Sequence, residues 1–141
     1  MRSLLYNIKM GKDPKKFSRS ELRYLFRRVL KRMKEKPRGY FKLMKLRGAC
    51  GYCYFDSAIE IDYRKLLIPT IIHEVLHDLY PDNWEGWTLR LESKLVNILS
   101  PYDIYQLMFV FFSKVEISKP KRKYKKKTSK LKSNDRLINK R

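Results

Sequence analysis

The chain has 141 residues, and 34 Lys plus Arg against 14 Asp plus Glu give it a formal net charge of +20. That length accommodates one compact domain with a short tail and excludes a multidomain enzyme. Apolar residues make up 43% and aromatic residues 13%, which excludes a disordered polyelectrolyte and supplies enough material for a core.

At the amino end, MRSLLYNIKMGKD has no extended apolar stretch followed by a small-residue cleavage site, so no secretory signal is expected. Ser18 and Glu21 form an S-x-x-E capping box ahead of Leu22, Leu25, Phe26, Val29, Leu30 and Met33, the spacing of an amphipathic helix. Arg23, Arg27, Arg28, Lys31, Arg32 and Lys34 fill its other faces, and Pro37-Arg38-Gly39 ends it. Residues 1–48 hold 17 basic and 3 acidic side chains. The helix therefore buries one side and presents a basic one, which is either a solvated surface or a contact face for nucleic acid.

Tyr40 to Leu46 reads as a strand, Cys50-Gly51-Tyr52-Cys53 as a connecting turn, and Ser57 to Asp62 as a second strand with the period of two. Leu66 to Tyr80 has too many apolar residues for a surface helix and reads as a core helix. Pro81-Asp82-Asn83 breaks it and supplies an N-cap for a helix beginning near Trp84, with Leu91, Leu95 and Ile98 along one face. Ser100-Pro101-Tyr102-Asp103 opens a last apolar helix through about Ser113, with Pro101 in the favoured first turn. The longest apolar run, Ile104 to Phe112, covers nine residues, against the roughly 20 that a bilayer requires, so no membrane span is expected.

The fold class predicted is α+β: a small antiparallel sheet packed on the core helix, with an amphipathic helix before it and two helices after it. Residues 1–118 form the domain, and residues 119–141, with 12 basic side chains and one acidic, form a disordered basic tail. The tail suits sequence-independent attachment to nucleic acid; a solvated solubility tail and attachment to an anionic membrane surface are the alternatives. Between the basic ends, residues 49–118 carry 5 basic and 10 acidic side chains. With two cysteines, a disulfide-stapled secreted scaffold is disfavoured, and a reducing, cytoplasmic setting is expected.

The chain's two histidines, His73 and His77, fall in IIHEVLHDLYPD, four residues apart on the core helix. They stand one turn above each other, so both imidazoles reach one metal ion, while Glu74 can address a water beside it. A buried imidazole pair with a carboxylate on an apolar helix is costly unless something rewards it, and Zn2+ does so. A third ligand must be a carboxylate, and Asp78, Asp82, Glu85 and Glu92 are the candidates. Glu85, just past the chain reversal at Pro81, is favoured over Glu92, although it also suits a capping role beside Asp82.

The segments Ile59-Glu60-Ile61-Asp62, Thr70 to His77 and Tyr80-Pro81-Asp82 with Glu85 resemble the minimal, SprT-like zinc metallopeptidases found in bacteriophage genomes. The resemblance covers roughly residues 40–112. It implies zinc on His73 and His77, Glu74 as the general base, a helix after the turn supplying the last ligand, and a protein or peptide substrate. For a phage-encoded chain the setting would be the host cytoplasm. SprT and Spartan proper take a histidine as third ligand shortly after the motif, and none follows here. Metal-assisted hydrolysis also asks for an oxyanion donor, and Tyr80 and Arg90 are both candidates.

Cys50 and Cys53 open a competing reading. With His73 and His77 they compose the ligand set of a closed structural zinc site, which would make the chain a non-enzymatic nucleic-acid-binding protein. The third possibility is that both are free thiols in a glycine-rich turn.

Overall fold

Helix α1 (Arg19–Glu35) begins where its capping residues dictate. Ser18 Oγ accepts from the Glu21 amide at 3.2 Å, and Glu21 Oε1 accepts from the Ser18 amide at 3.2 Å. The reciprocal pair satisfies two of the amides that a helix start leaves without partners. A single 3-10 turn, Pro14–Lys16, precedes it. Its buried residues are Leu22, Leu25, Phe26, Val29, Leu30 and Met33, the six that the helical period selects. Gly39, at φ 96°, then turns the chain into the sheet, a conformation open to glycine at little steric cost. The computed structural model describes residues 12–54 and 58–116. Residues 1–11, 55–57 and 117–141, which include the expected basic tail and the last two residues of the expected domain, lie outside the described residues.

The α+β class holds, and the sheet is mixed instead of antiparallel. Its strands are β1 (Phe41–Met44), β2 (Gly51–Tyr54), β3 (Ala58–Asp62) and β4 (Val115–Glu116), in spatial order β2-β3-β1-β4. The segment expected as a turn around Cys50 to Cys53 is largely strand β2, antiparallel to β3, with Gly51 opposite Ile61 and Tyr54 opposite Ala58. β2 and β3 are thus the hairpin pair, and β1 takes the free edge of β3 in parallel, Phe41 opposite Ile59. β4 adds in parallel to the other side of β1, with Val115 opposite Phe41. The physical reason is burial: this pairing puts Phe41, Ile59, Ile61 and Val115 into the core.

Asp62 closes the end of the sheet. Its carboxylate accepts from the Leu46 and Arg64 amides and from the Arg64 guanidinium. These bonds, with Arg64 foremost, hold its pKa well below the ordinary value.

Helix α2 (Leu67–Leu79) is the core helix, with Ile71, Ile72, Val75 and Leu76 fully buried. Helix α3 (Glu85–Ile98) follows the Pro81 turn and places Trp87, Leu91 and Leu95 in the same core. Its N-cap is Trp84, with no side-chain cap, so the Asp82 and Glu85 capping pair does not form and Glu85 is left for other work. Helix α4 (Pro101–Lys114) is capped by a reciprocal Ser100 and Asp103 pair, with Pro101 in its first turn. Arg23 of α1 grips the same Asp103 with both terminal nitrogens, at 2.5 and 3.0 Å. Among the described residues, no helix is long and apolar enough to cross a membrane.

Candidate metal centre

His73 and His77 point from one face of α2 towards the first turn of α3, because the Pro81 turn reverses the chain and carries Glu85 back over them. The two Nε2 atoms lie 3.1 Å apart. Glu85 spans both, with Oε1 at 2.7 Å from His73 Nε2 and Oε2 at 2.7 Å from His77 Nε2. Among the described residues, these three form the one group of His, Cys, Asp or Glu side chains close enough to share a metal ion.

The donor set suits zinc. Two nitrogens at about 2.05 Å in a tetrahedral shell stand about 3.3 Å apart, close to the 3.1 Å seen between the imidazoles. The carboxylate sits nearer than such a shell requires. Its side chain is 60% exposed, so it has room to open by the half-ångström needed.

Glu92, the other carboxylate candidate, sits behind the histidine. Its Oε2 lies 3.1 Å from His73 Nδ1, on the far side of the ring from Glu85. A proton on Nδ1 donated to Glu92 leaves Nε2 of a neutral His73 as a lone pair facing the centre, the arrangement by which an outer carboxylate fixes a ligand's tautomer. Burial pulls the His73 pKa down, but the Glu92 hydrogen bond and the Glu85 and Glu74 charges together hold it above the ordinary value.

Asp78 and Asp82 do not join the cluster. Asp78 is buried on another side of α2, where Oδ2 accepts from Arg32 Nε at 2.8 Å and from Tyr40 Oη at 2.7 Å. Burial alone would raise its pKa; those bonds and the Arg32 and Lys36 charges bring it below the ordinary value. Asp82 is exposed in the turn.

Glu74 is 6% exposed and lines the site beside His73 and Glu85. Burial pushes its carboxyl up to about 7, with His73 opposing and Glu85 and Glu92 adding to the rise. What makes room for it is Gly51 at the start of edge strand β2. A Cβ there would stand 2.9 Å from Glu74 Cγ, 3.1 Å from its Oε1 and 3.0 Å from the Glu60 carbonyl oxygen. Gly51 lies in the segment expected from sequence to be a turn. Its signal is a glycine inside the Gly-Tyr-Cys-Tyr alternation, which marks a close backbone approach.

The open side of the centre is a pocket of about 310 Å³, walled by Gly48 to Gly51, Thr70, Leu89 and Glu92. Neither oxyanion candidate reaches it. Tyr80 is buried against Trp87 and accepts a hydrogen bond from Arg28 at 3.0 Å. Arg90 stacks over the Trp84 ring at 5.6 Å. Cys50 and Cys53 are free thiols near the rim, and neither sulfur belongs to the metal-capable group. Burial pushes the Cys53 thiol up to about 12, with Asp78 and Glu74 adding to it.

The chain matches no family model, no curated protein and no solved structure.

Proposed function

We propose that this chain is a zinc-dependent metallopeptidase, with His73, His77 and Glu85 as metal ligands and Glu74 as general base. The observation that carries the reading is the convergence of the two Nε2 atoms and the Glu85 carboxylate beside a buried Glu74. Zinc held there would supply Lewis-acid polarisation of a scissile carbonyl and of the attacking water. Glu74 accepts the water's proton and returns it to the departing amine, a task suited to a buried carboxyl seated beside the proposed ligands. Glu92 keeps His73 oriented, and Gly51 lets Glu74 lie close against the sheet.

A peptide substrate is supported by the position of β2. It is the edge of the sheet, and Gly51, Tyr52 and Cys53 lie along the same cleft as His73, Glu74 and His77. An extended peptide can add to such an edge through main-chain hydrogen bonds. The proposed setting is the cytoplasm, host cytoplasm for a phage-encoded chain. The basic α1 and the Lys-rich residues 119–141 would hold the enzyme near nucleic acid.

The test is metal content and cleavage of an unfolded protein such as denatured casein. The wild type should carry about one zinc per chain and cleave, and Glu74→Gln should keep the metal and lose cleavage. His73→Ala should lose both. Cleavage that survives in Glu74→Gln, or in metal-free protein, would overturn the assignment.

A further inference from the structure

Helix α4 turns four large rings to solvent. Tyr102, Tyr105, Phe109 and Phe112 are 66%, 64%, 66% and 56% exposed. Their 3-4-3 spacing puts them within about 80° of one another round the helix, in a stripe about 15 Å long. The rings form a ladder: Tyr102 and Tyr105 have centroids 6.5 Å apart with planes 23° from parallel, and Tyr105 and Phe109 stand 6.3 Å apart at 30°. Among the described residues the core does not take them up: α4 buries Asp103, Leu107, Val110 and Phe111 on its other side.

The ladder borders cations. A groove of about 490 Å³ is lined by Tyr102, Tyr105 and Phe109 together with Lys34 and Lys114. Lys34 and Gln106 also line the adjoining groove, where Arg27 and Lys31 of α1 lie. No acidic side chain lines either groove. Arg23 is neutralised by Asp103 and Lys31 stands 3.9 Å from Glu35, whereas Arg27, Lys34 and Lys114 have no acidic partner among the described residues.

We infer that the seam between α1 and α4 is a binding groove for single-stranded nucleic acid. A strand's phosphates track Arg27, Lys34 and Lys114 while its bases stack on Tyr102, Tyr105 and Phe109. Positive grooves flanked by aromatic platforms are how single strands are held without sequence readout. Tyr102 to Phe109 spans about 10.5 Å along the helix, which at ~3.4 Å per stacked nucleotide accommodates about three bases. Duplex DNA has its bases already stacked and offers nothing to the rings. A second copy of this chain is disfavoured, since a self-complementary contact would bring two copies of the same positive, acid-free patch together. The inference sharpens the electrostatic attachment proposed above into a built site for one strand form, and it stands or falls apart from the metal centre.

The experiment is fluorescence anisotropy on the full chain with labelled twelve-nucleotide oligo-dT, oligo-U and a matched duplex, across a salt series. Either single strand should bind more tightly than the duplex, and the ratio of the two assigns DNA or RNA. Tyr105→Ala and Phe109→Ala, both at exposed positions, should each weaken single-strand binding roughly 5- to 100-fold and leave duplex binding unchanged. Tyr105→Phe should retain it. Arg27→Gln with Lys34→Gln should flatten the salt slope by about 1.4. Equal affinity for duplex, or ring variants that bind single strands as wild type, would overturn the groove and leave the simple charge attachment standing. Self-association in sedimentation that Phe109→Ala abolishes would assign the stripe to a second copy and likewise overturn it. So would equally tight, ring-dependent binding of polyglutamate or of anionic vesicles.

Discussion

Replacing Glu92 by alanine removes the carboxylate that stands 3.1 Å from His73 Nδ1. The ring then loses the acceptor that selects its tautomer and its rotation, while all three proposed ligands remain. Outer-sphere partners of this kind are worth about 10- to 100-fold in metal affinity, or about 1.4–2.7 kcal/mol at 1.36 kcal/mol per decade. Glu85→Ala removes an oxygen placed 2.7 Å from each imidazole and should cost more. Glu92→Gln keeps a carbonyl acceptor and should fall between Glu92→Ala and wild type. Competition for zinc against a fluorescent chelator, at fixed pH because the ligands must be deprotonated, reads all three variants directly. Wild-type affinity in Glu92→Ala, or a greater loss there than in Glu85→Ala, would refute the division between ligand and orienting residue.

Gly51→Ala sets a Cβ 2.9 Å from Glu74 Cγ, where ordinary contact begins at 3.4 Å, and the Glu60 carbonyl on the other side is backbone that cannot yield easily. A Glu74 displaced by half an ångström or more should reduce kcat about 10- to 100-fold with zinc stoichiometry intact, as measured by cleavage and metal analysis. Asp103 is held at about 2 against an ordinary 3.8, chiefly by Arg23. A depressed carboxyl stabilises the fold above its unfolded value, so stability should fall as pH drops from about 4 towards 2, and Asp103→Asn should flatten that part of a melting-temperature profile. Leu91→Ala, at a fully buried site of α3, should cost about 2–5 kcal/mol in denaturant titration with the slope unchanged.

The helices were legible because their signals are local. The Ser18 and Glu21 box, the Pro101 first turn and the apolar period of α1 each lie within a few residues of what they control, and the HExxH spacing fixes which side chains share a face of α2. The sheet was less legible because strand pairing is not local. Tyr40 to Leu46 and Ser57 to Asp62 contain the observed strands Phe41–Met44 and Ala58–Asp62, but nothing in either segment states that β2 pairs with β3 on one side while β1 pairs with it on the other. Gly51 favours a turn when taken alone, although Tyr52 and Tyr54 alternate with half-buried neighbours as a strand does. For the carboxylates, the sequence supplied the candidates and the three-dimensional arrangement sorted them. Asp78 is claimed by Arg32 and Tyr40, Glu92 by the rear of His73, and Glu85 alone faces both Nε2 atoms.

The three proposed metal donors all fall between positions 73 and 85, across one turn. The glycine that seats Glu74 comes from a strand outside that stretch, held in place by β3. The proposed metal donors and the seat of the proposed base therefore come from different parts of the chain. A pair of helices closing a short loop brings the donors together through local contacts, whereas the close seat of Glu74 against Gly51 depends on the pairing of β2 with β3. Under the proposed function, metal content and cleavage therefore report on different parts of the fold: a chain with its helices paired and its sheet unformed would keep the donors together and lack the seat for Glu74.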